Sequence, residues 1–580
     1  MDRRKFLTRS GATLAGAAGL SSAVTDSIAK NTSFNIPGYP LDAGGADPQP
    51  IVTQTNDLSP YTGVWGDTEI RHLLGRAMFG VPMSQFIAAK ALGSMDAVVT
   101  QLLGDQPMPQ KFATWLDTIN TQANTGTGQS VARLNILQVQ EVANWWMDQM
   151  ISENLSIREK MTLFWSNHFV TGSSTVRLAQ YEFVYNQTLR QNALGNFKNF
   201  VNAISIDPAM LVYLNGNQNL YYTKNGKTFN NVNENYAREL QELFTIGLTD
   251  PKTGAPNYTE TDIQQAAKAL SGWQPTTTAP FVGQFNANLH DGVDTETFYG
   301  QTGKFQLSDI VNIILSKGTT TDGKNNPGYN SAYFICSELY ATFVYYVPNA
   351  QVVEAMANLL VASNWEIKPV MQALLSSAHF YDSEVIGAQL KSPVEFVVGI
   401  IRDFAMTLPA FDPSNPPMTG TDSNGNLYGD PNKTHSYLSL GIAGTALGQL
   451  LLNPPNVKGW PGGHNWVSTG TFPERLAIAA SMGYYPNIYD GSTKARGIKI
   501  TFSPTGWANS LPGISSMKSH DIATALEGAT LSFTLGPNES ATLYTLLNPL
   551  GLPDSDFYLT DQAVALFAIG VMTLPEYQLI

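Results

Sequence analysis

From Asp67 onward, apolar residues return at intervals of three and four, and that spacing restricts the fold class more than any motif does. Asp67-Thr68-Glu69 opens a helix whose stripe is Ile70, Leu73, Leu74 and Ala77, and Phe79-Gly80-Val81-Pro82 closes it. The same periodicity predicts helices over 85–103, 131–152, 156–169, 233–247, 331–346, 350–363, 366–378, 391–407 and 561–572. A Thr259-Glu260-Thr261-Asp262 capping box starts a further helix that stops at Gly272. The expectation is a mainly α protein, a large helical body with two loop-rich insertions, 274–330 and 408–436. A minor β contribution is expected near the C-terminus, with Gly497 to Phe502 and Thr530 to Leu535 as the best strand candidates.

The first residues carry an export signal. Arg3 and Arg4 precede Phe6-Leu7 and a weakly apolar stretch from Gly11 to Ala23, shorter than the roughly 20 residues a spanning helix needs. Adjacent arginines point to the twin-arginine route, which carries proteins already folded, and so to a periplasmic or secreted location. Residues 1–29 are read as the signal, 30–66 as a Pro-, Gly- and Asp-rich linker, and 67–580 as the folded body, with no transmembrane span.

Cys336 is the single cysteine, which excludes an internal disulfide framework and any cysteine-rich metal site. A net charge of -13 with 14% charged residues argues against nucleic acid as a partner, because that binding needs clustered Lys and Arg. Abundant Asn, Thr, Gly and Tyr suit contact with a carbohydrate polymer, although exported proteins of many functions share them.

Chemistry has few places to reside. On the 233–247 helix, Asn235, Arg238, Glu239 and Glu242 share one polar side, and two carboxylates three apart can divide into acid and base or hold a divalent cation. A salt-bridged helix surface would use the same residues. His168, beside Phe164 and Trp165, is the imidazole candidate to join that face, or a core histidine. His72, His290 and Asp291 are the candidate metal ligands, and an oxygen and imidazole set favours Ca, Mg, Mn or Zn. Lys458 and Trp460 lie in an irregular Gly-rich loop suited to stacking on a sugar or to anchoring in the core. Asp422 to Asn426 has the flavour of a calcium loop but lacks its glycine and terminal glutamate.

Several stretches together resemble the bacterial family catalogued as domain of unknown function 1800. They are His72 to Gly80, Lys160 to Phe169, Asn233 to Gly247, Tyr258 to Trp273, Lys391-Ser392-Pro393-Val394-Glu395-Phe396, and Pro454 to Gly463. The chain departs from the family pattern at Ser166 and His464, where His and Arg are usual, and at Thr295-Glu296 after His290-Asp291. The resemblance implies a mostly helical exported protein without an established activity, often encoded beside a sulfatase-like exported partner. Lys391 joins Asn235, Lys458 and Trp460 as a substrate-binding candidate, with Glu239, Glu242, Arg238 and His168 as the catalytic set. The expectation is a hydrolase or lyase acting on an envelope polysaccharide or ester; the alternative is a non-catalytic polymer-binding or assembly protein.

Overall fold

Nine of the eleven residues of the helix Arg158–His168 are buried, polar ones included, so this helix lies in the interior and its polar groups need partners there. In the computed structural model the described residues are 49–111, 114–117, 129–225, 227–292, 296–316, 328–408, 418–421, 427–429, 441, 444–484 and 500–580. The signal and the calcium-flavoured loop fall outside them.

Helix makes up 54% of the described residues and strand 7%, so the protein is mainly α with minor β. The helices that position the site are α1 (Asp67–Ala77), α2 (Gln129–Ser152), α3 (Arg158–His168), α4 (Ala179–Gln191), α5 (Asn235–Glu242), α6 (Glu260–Ala269), α7 (Tyr329–Phe343), α8 (Pro393–Asp403), α9 (Thr471–Tyr484) and α10 (Asp561–Thr573). Helix α3 packs on α2 and α4, α8 on α2, and α9 on α10, around one continuous apolar core.

Buried polar groups lock α3 in place. Glu159 takes two hydrogen bonds from Arg190 of α4, at 2.6 and 2.8 Å, and a third from the Trp146 indole of α2 at 3.0 Å. Trp165, fully buried, donates to the Ala193 carbonyl at 2.9 Å.

Four differences from the expected elements have local causes. The stretch predicted as one helix over 85–103 is two, Met83–Ala91 and Met95–Leu102, broken at Gly93 (φ 77°) and restarted by a Ser94 cap. Helix α5 begins after Glu234, because Asn233 accepts from the Asn235 amide instead of capping further along. The described strands form two-stranded antiparallel pairs within 220–303 and 418–429. Thr530 to Leu535 is not a strand: a helix, Ser519–Thr530, ends there, and Leu531 and Leu535 turn into the core. The described end of the expected linker lies against the body, where the Tyr61 amide donates to Ser376 and the Ala378 amide to Ser59.

Candidate active site

A cavity of about 390 Å³ opens between α3, α7, the start of α8 and the loop 456–466. Three stretches singled out in the sequence therefore converge, and each delivers its side chains by a different local device.

Helix α8 begins with a capping box. Ser392 accepts from the Glu395 amide at 3.3 Å, and one Glu395 oxygen accepts from the Ser392 amide at 2.5 Å, with Pro393 at the first helical position. The other Glu395 oxygen pairs with the buried ammonium of Lys160 on α3. Burial pushes the Glu395 carboxyl up, but the Lys160 charge and the Ser392 hydrogen bonds outweigh it and hold the pKa below the ordinary range. Burial likewise lowers Lys160, and Glu395 opposes that shift.

The loop is held by Asn167. Its oxygen accepts from the Trp460 amide at 2.6 Å and its nitrogen donates to the Trp460 carbonyl at 3.2 Å. Gly459 has φ 76°, and a Cβ there would lie 2.2 Å from the Asn167 oxygen, so only glycine fits this approach. Trp460 lines the cavity yet is 5% exposed. It anchors the loop and offers an edge, not an open stacking face.

At the end of α3, His168 is buried and both of its ring nitrogens are engaged. Nδ1 lies 2.6 Å from Glu338 Oε2 and Nε2 lies 3.1 Å from the Phe244 carbonyl. Both partners are acceptors, so the arrangement is complete with one proton on Nε2 and one between Nδ1 and the carboxylate. Glu338 is the group that reaches solvent, its side chain 39% exposed. Nearby, the Gln389 amide nitrogen donates to Ala341 and Thr342 carbonyls at 2.9 and 3.2 Å. That fixes its buried oxygen as an acceptor with no donor among the described residues.

The polar face of α5 is divided. Arg238 lies 2.5 Å from Glu260 and 3.6 Å from both Glu234 and Glu242, an ion-pair hub at the surface. Glu242 accepts from the Tyr258 hydroxyl, and Asn235 donates to the Leu214 carbonyl at 3.3 Å. These three do not line the cavity. Glu239 is half-buried; burial and then Glu242 raise its pKa, while Arg238 and the cavity residue Lys458 pull it down. Glu239 does not line the cavity itself; it acts electrostatically on Lys458, which does.

Lys391 is placed behind the wall. Its ammonium sits 3.6 Å from the Tyr577 ring centre and burial pushes its pKa down to about 8. The C-terminal segment covers it, the Lys391 amide donating to Gln578, so it does not line the cavity.

The three candidate metal ligands do not meet. His72 is fully buried, its Nε2 2.9 Å from the Phe380 carbonyl, and burial and then Arg76 hold its pKa well below the ordinary value. His290 sits with Nδ1 3.1 Å from the Ser271 hydroxyl, and the buried Asp291 accepts nothing on either oxygen among the described residues. Among the described residues, no group of three or more His, Cys, Asp or Glu is arranged to hold a metal.

The sequence reading passed over Glu338, Lys160, Glu395 and Gln389 as candidates. Glu338 is the one carboxylate in the largely apolar run from Tyr329 to Phe343, a signal that was available. Ser392-Pro393-Val394-Glu395 is likewise a legible capping box.

Residues 72–579 match the model of a family described as a protein of unknown function, DUF1800. No curated protein and no solved structure is significantly similar to the chain.

Proposed function

The chain belongs to the DUF1800 family, and on that footing we propose that it is an exported enzyme that cleaves a polysaccharide by acid–base chemistry in the cavity, with Glu338 as the proton-transferring group. The observation that carries this reading is the buried His168 holding one oxygen of a solvent-reaching carboxylate at 2.6 Å. That is the relation of an orienting group to a general base, and such a base contributes roughly 10²- to 10⁴-fold.

In this reading Glu338 takes a proton from a water attacking the glycosidic carbon, or from the sugar ring if the bond breaks by elimination. Glu239, whose pKa burial and then Glu242 raise, gives its proton to the departing oxygen. Lys458 and the Lys160–Glu395 pair face the charge that develops. The free oxygen of Gln389 accepts from a sugar hydroxyl. His168 is a positioning residue, since neither of its nitrogens is open to substrate. The adjacent Arg3 and Arg4 support a periplasmic or secreted location, where a sulfatase-like exported partner would act on the same polymer.

A second reading, a non-catalytic polymer-binding protein, draws on the same closure of His168 and on Glu395 being committed to its helix cap. A panel of envelope polysaccharides separates the two: new reducing ends report hydrolysis, unsaturated sugar ends absorbing in the ultraviolet report elimination, and binding with neither favours the second reading.

A further inference from the structure

We propose that the sugar unit seated in the cavity is anionic, bearing a carboxylate or sulfate group, drawn by Lys458 at the mouth and by a surplus of buried positive charge behind the floor. This rests on the reading of the cavity as a polysaccharide site.

The surplus gathers around Glu395. Besides Lys160, the buried cations Arg76, Lys391 and Arg475 all act electrostatically on this one carboxylate. The next carboxylate inward, Asp403, is shared among Lys391, Arg71 and Arg402. Six buried cations thus face these two carboxylates, and Arg71 faces in addition the exposed Asp67. Glu153, which also faces Arg402, adds little negative charge, because burial and then Glu159 push its pKa up to about 8.

Hydrogen bonding leaves the same imbalance. Arg76 Nε and Nη1, Arg475 Nε, and Arg402 Nε and Nη2 are buried and have no acceptor among the described residues. In a chain of net charge -13 this concentration is not a reflection of overall composition. Water screens such charges poorly through a low-dielectric wall, and the group reaches the cavity at Lys160 and Glu395, which line it. Of the lining lysines, Lys160 already has its own carboxylate, and Lys458 is exposed. An anionic substituent would meet Lys458 directly and the buried group through the floor, while Gln389 accepts from a neighbouring hydroxyl.

The test is calorimetric binding of three oligosaccharides of equal length, a uronate, a sulfated and a neutral one, to the full-length Glu338→Gln protein at low and high salt. An anionic oligomer should bind at least about tenfold tighter than the neutral one, and high salt and Lys458→Met should each narrow that gap. Which anionic oligomer binds tells carboxylate from sulfate. Equal or stronger binding of the neutral oligomer overturns the proposal, as does absence of binding by all three, or a preference that neither salt nor Lys458→Met reduces. Lys458 is exposed, and a thermal melt checks that its variant is folded. Because chemistry is silenced in Glu338→Gln, a missing charge preference leaves the catalytic reading standing. Unaltered turnover in that variant would remove the catalytic reading whatever the binding shows.

Discussion

His168 and Glu338, 170 positions apart in the chain, meet at 2.6 Å, the imidazole buried and the carboxylate reaching the cavity. The opposite ring nitrogen is tied to the Phe244 carbonyl just after α5, so the ring has one orientation available. Replacing His168 by Gln keeps a polar side chain but loses the second anchor. The expected outcome is a lower kcat with little change in KM and a displaced pH–rate profile. A purely structural histidine would lower the melting temperature and leave the profile of the surviving enzyme in place.

Asn167 holds the loop through both backbone groups of Trp460. Asn167→Ala leaves a buried amide and carbonyl unpaired, each costing about 1–3 kcal/mol if no water replaces the lost partner. Faster proteolysis within 456–466 and a lower melting temperature are expected. Gly459→Ala should act the same way through a different cause, the 2.2 Å approach to Asn167 together with a positive φ.

Glu395 predicts an acid limb in the stability profile. Its pKa in the folded protein lies below the ordinary glutamate value because Lys160 and Ser392 outweigh the burial that would raise it. The unfolded chain therefore binds the extra proton first, and the contribution of Glu395 is present above the unfolded pKa and lost as pH falls through the folded one. Glu395→Gln should flatten that acid limb in denaturant titrations. It should also cost about 3–5 kcal/mol at neutral pH, since Lys160 is left buried without its partner.

Glu141 works in the opposite direction. Burial pushes its carboxyl from the ordinary 4.5 up to about 8, despite a hydrogen bond from Asn144. The folded state holds the proton over that interval, so stability falls as pH rises from about 4.5 to about 8. Glu141→Gln should remove this slope, measured by denaturant midpoints across the same range.

Helical periodicity was enough to read most of the helical body, because the stripes of α1, α3, α7 and α10 are set by local spacing that burial then uses. The cavity was only partly legible. Its segments could be picked out one by one, and His168, Lys458 and Trp460 were named, but their meeting depends on which helix lies against which. Glu338 was missed because its partner is 170 positions away. Lys391 was misplaced, since nothing local indicates that Tyr577 and Gln578 cover it. The α5 carboxylates were taken as one face, whereas Tyr258 and Glu260 of the neighbouring turn and helix capture Glu242 and Arg238 and separate them from Glu239. The strand expected at Thr530 to Leu535 failed because its apolar residues serve the core from a helix end.

The most direct measurement compares turnover of wild type and Glu338→Gln on the polysaccharide panel, with melting temperatures taken alongside. A fall in kcat of at least about 10²-fold at an unchanged melting temperature is the predicted result. Equal turnover by the two proteins, or none by the wild type on any polymer, contradicts a proton-transferring role for Glu338.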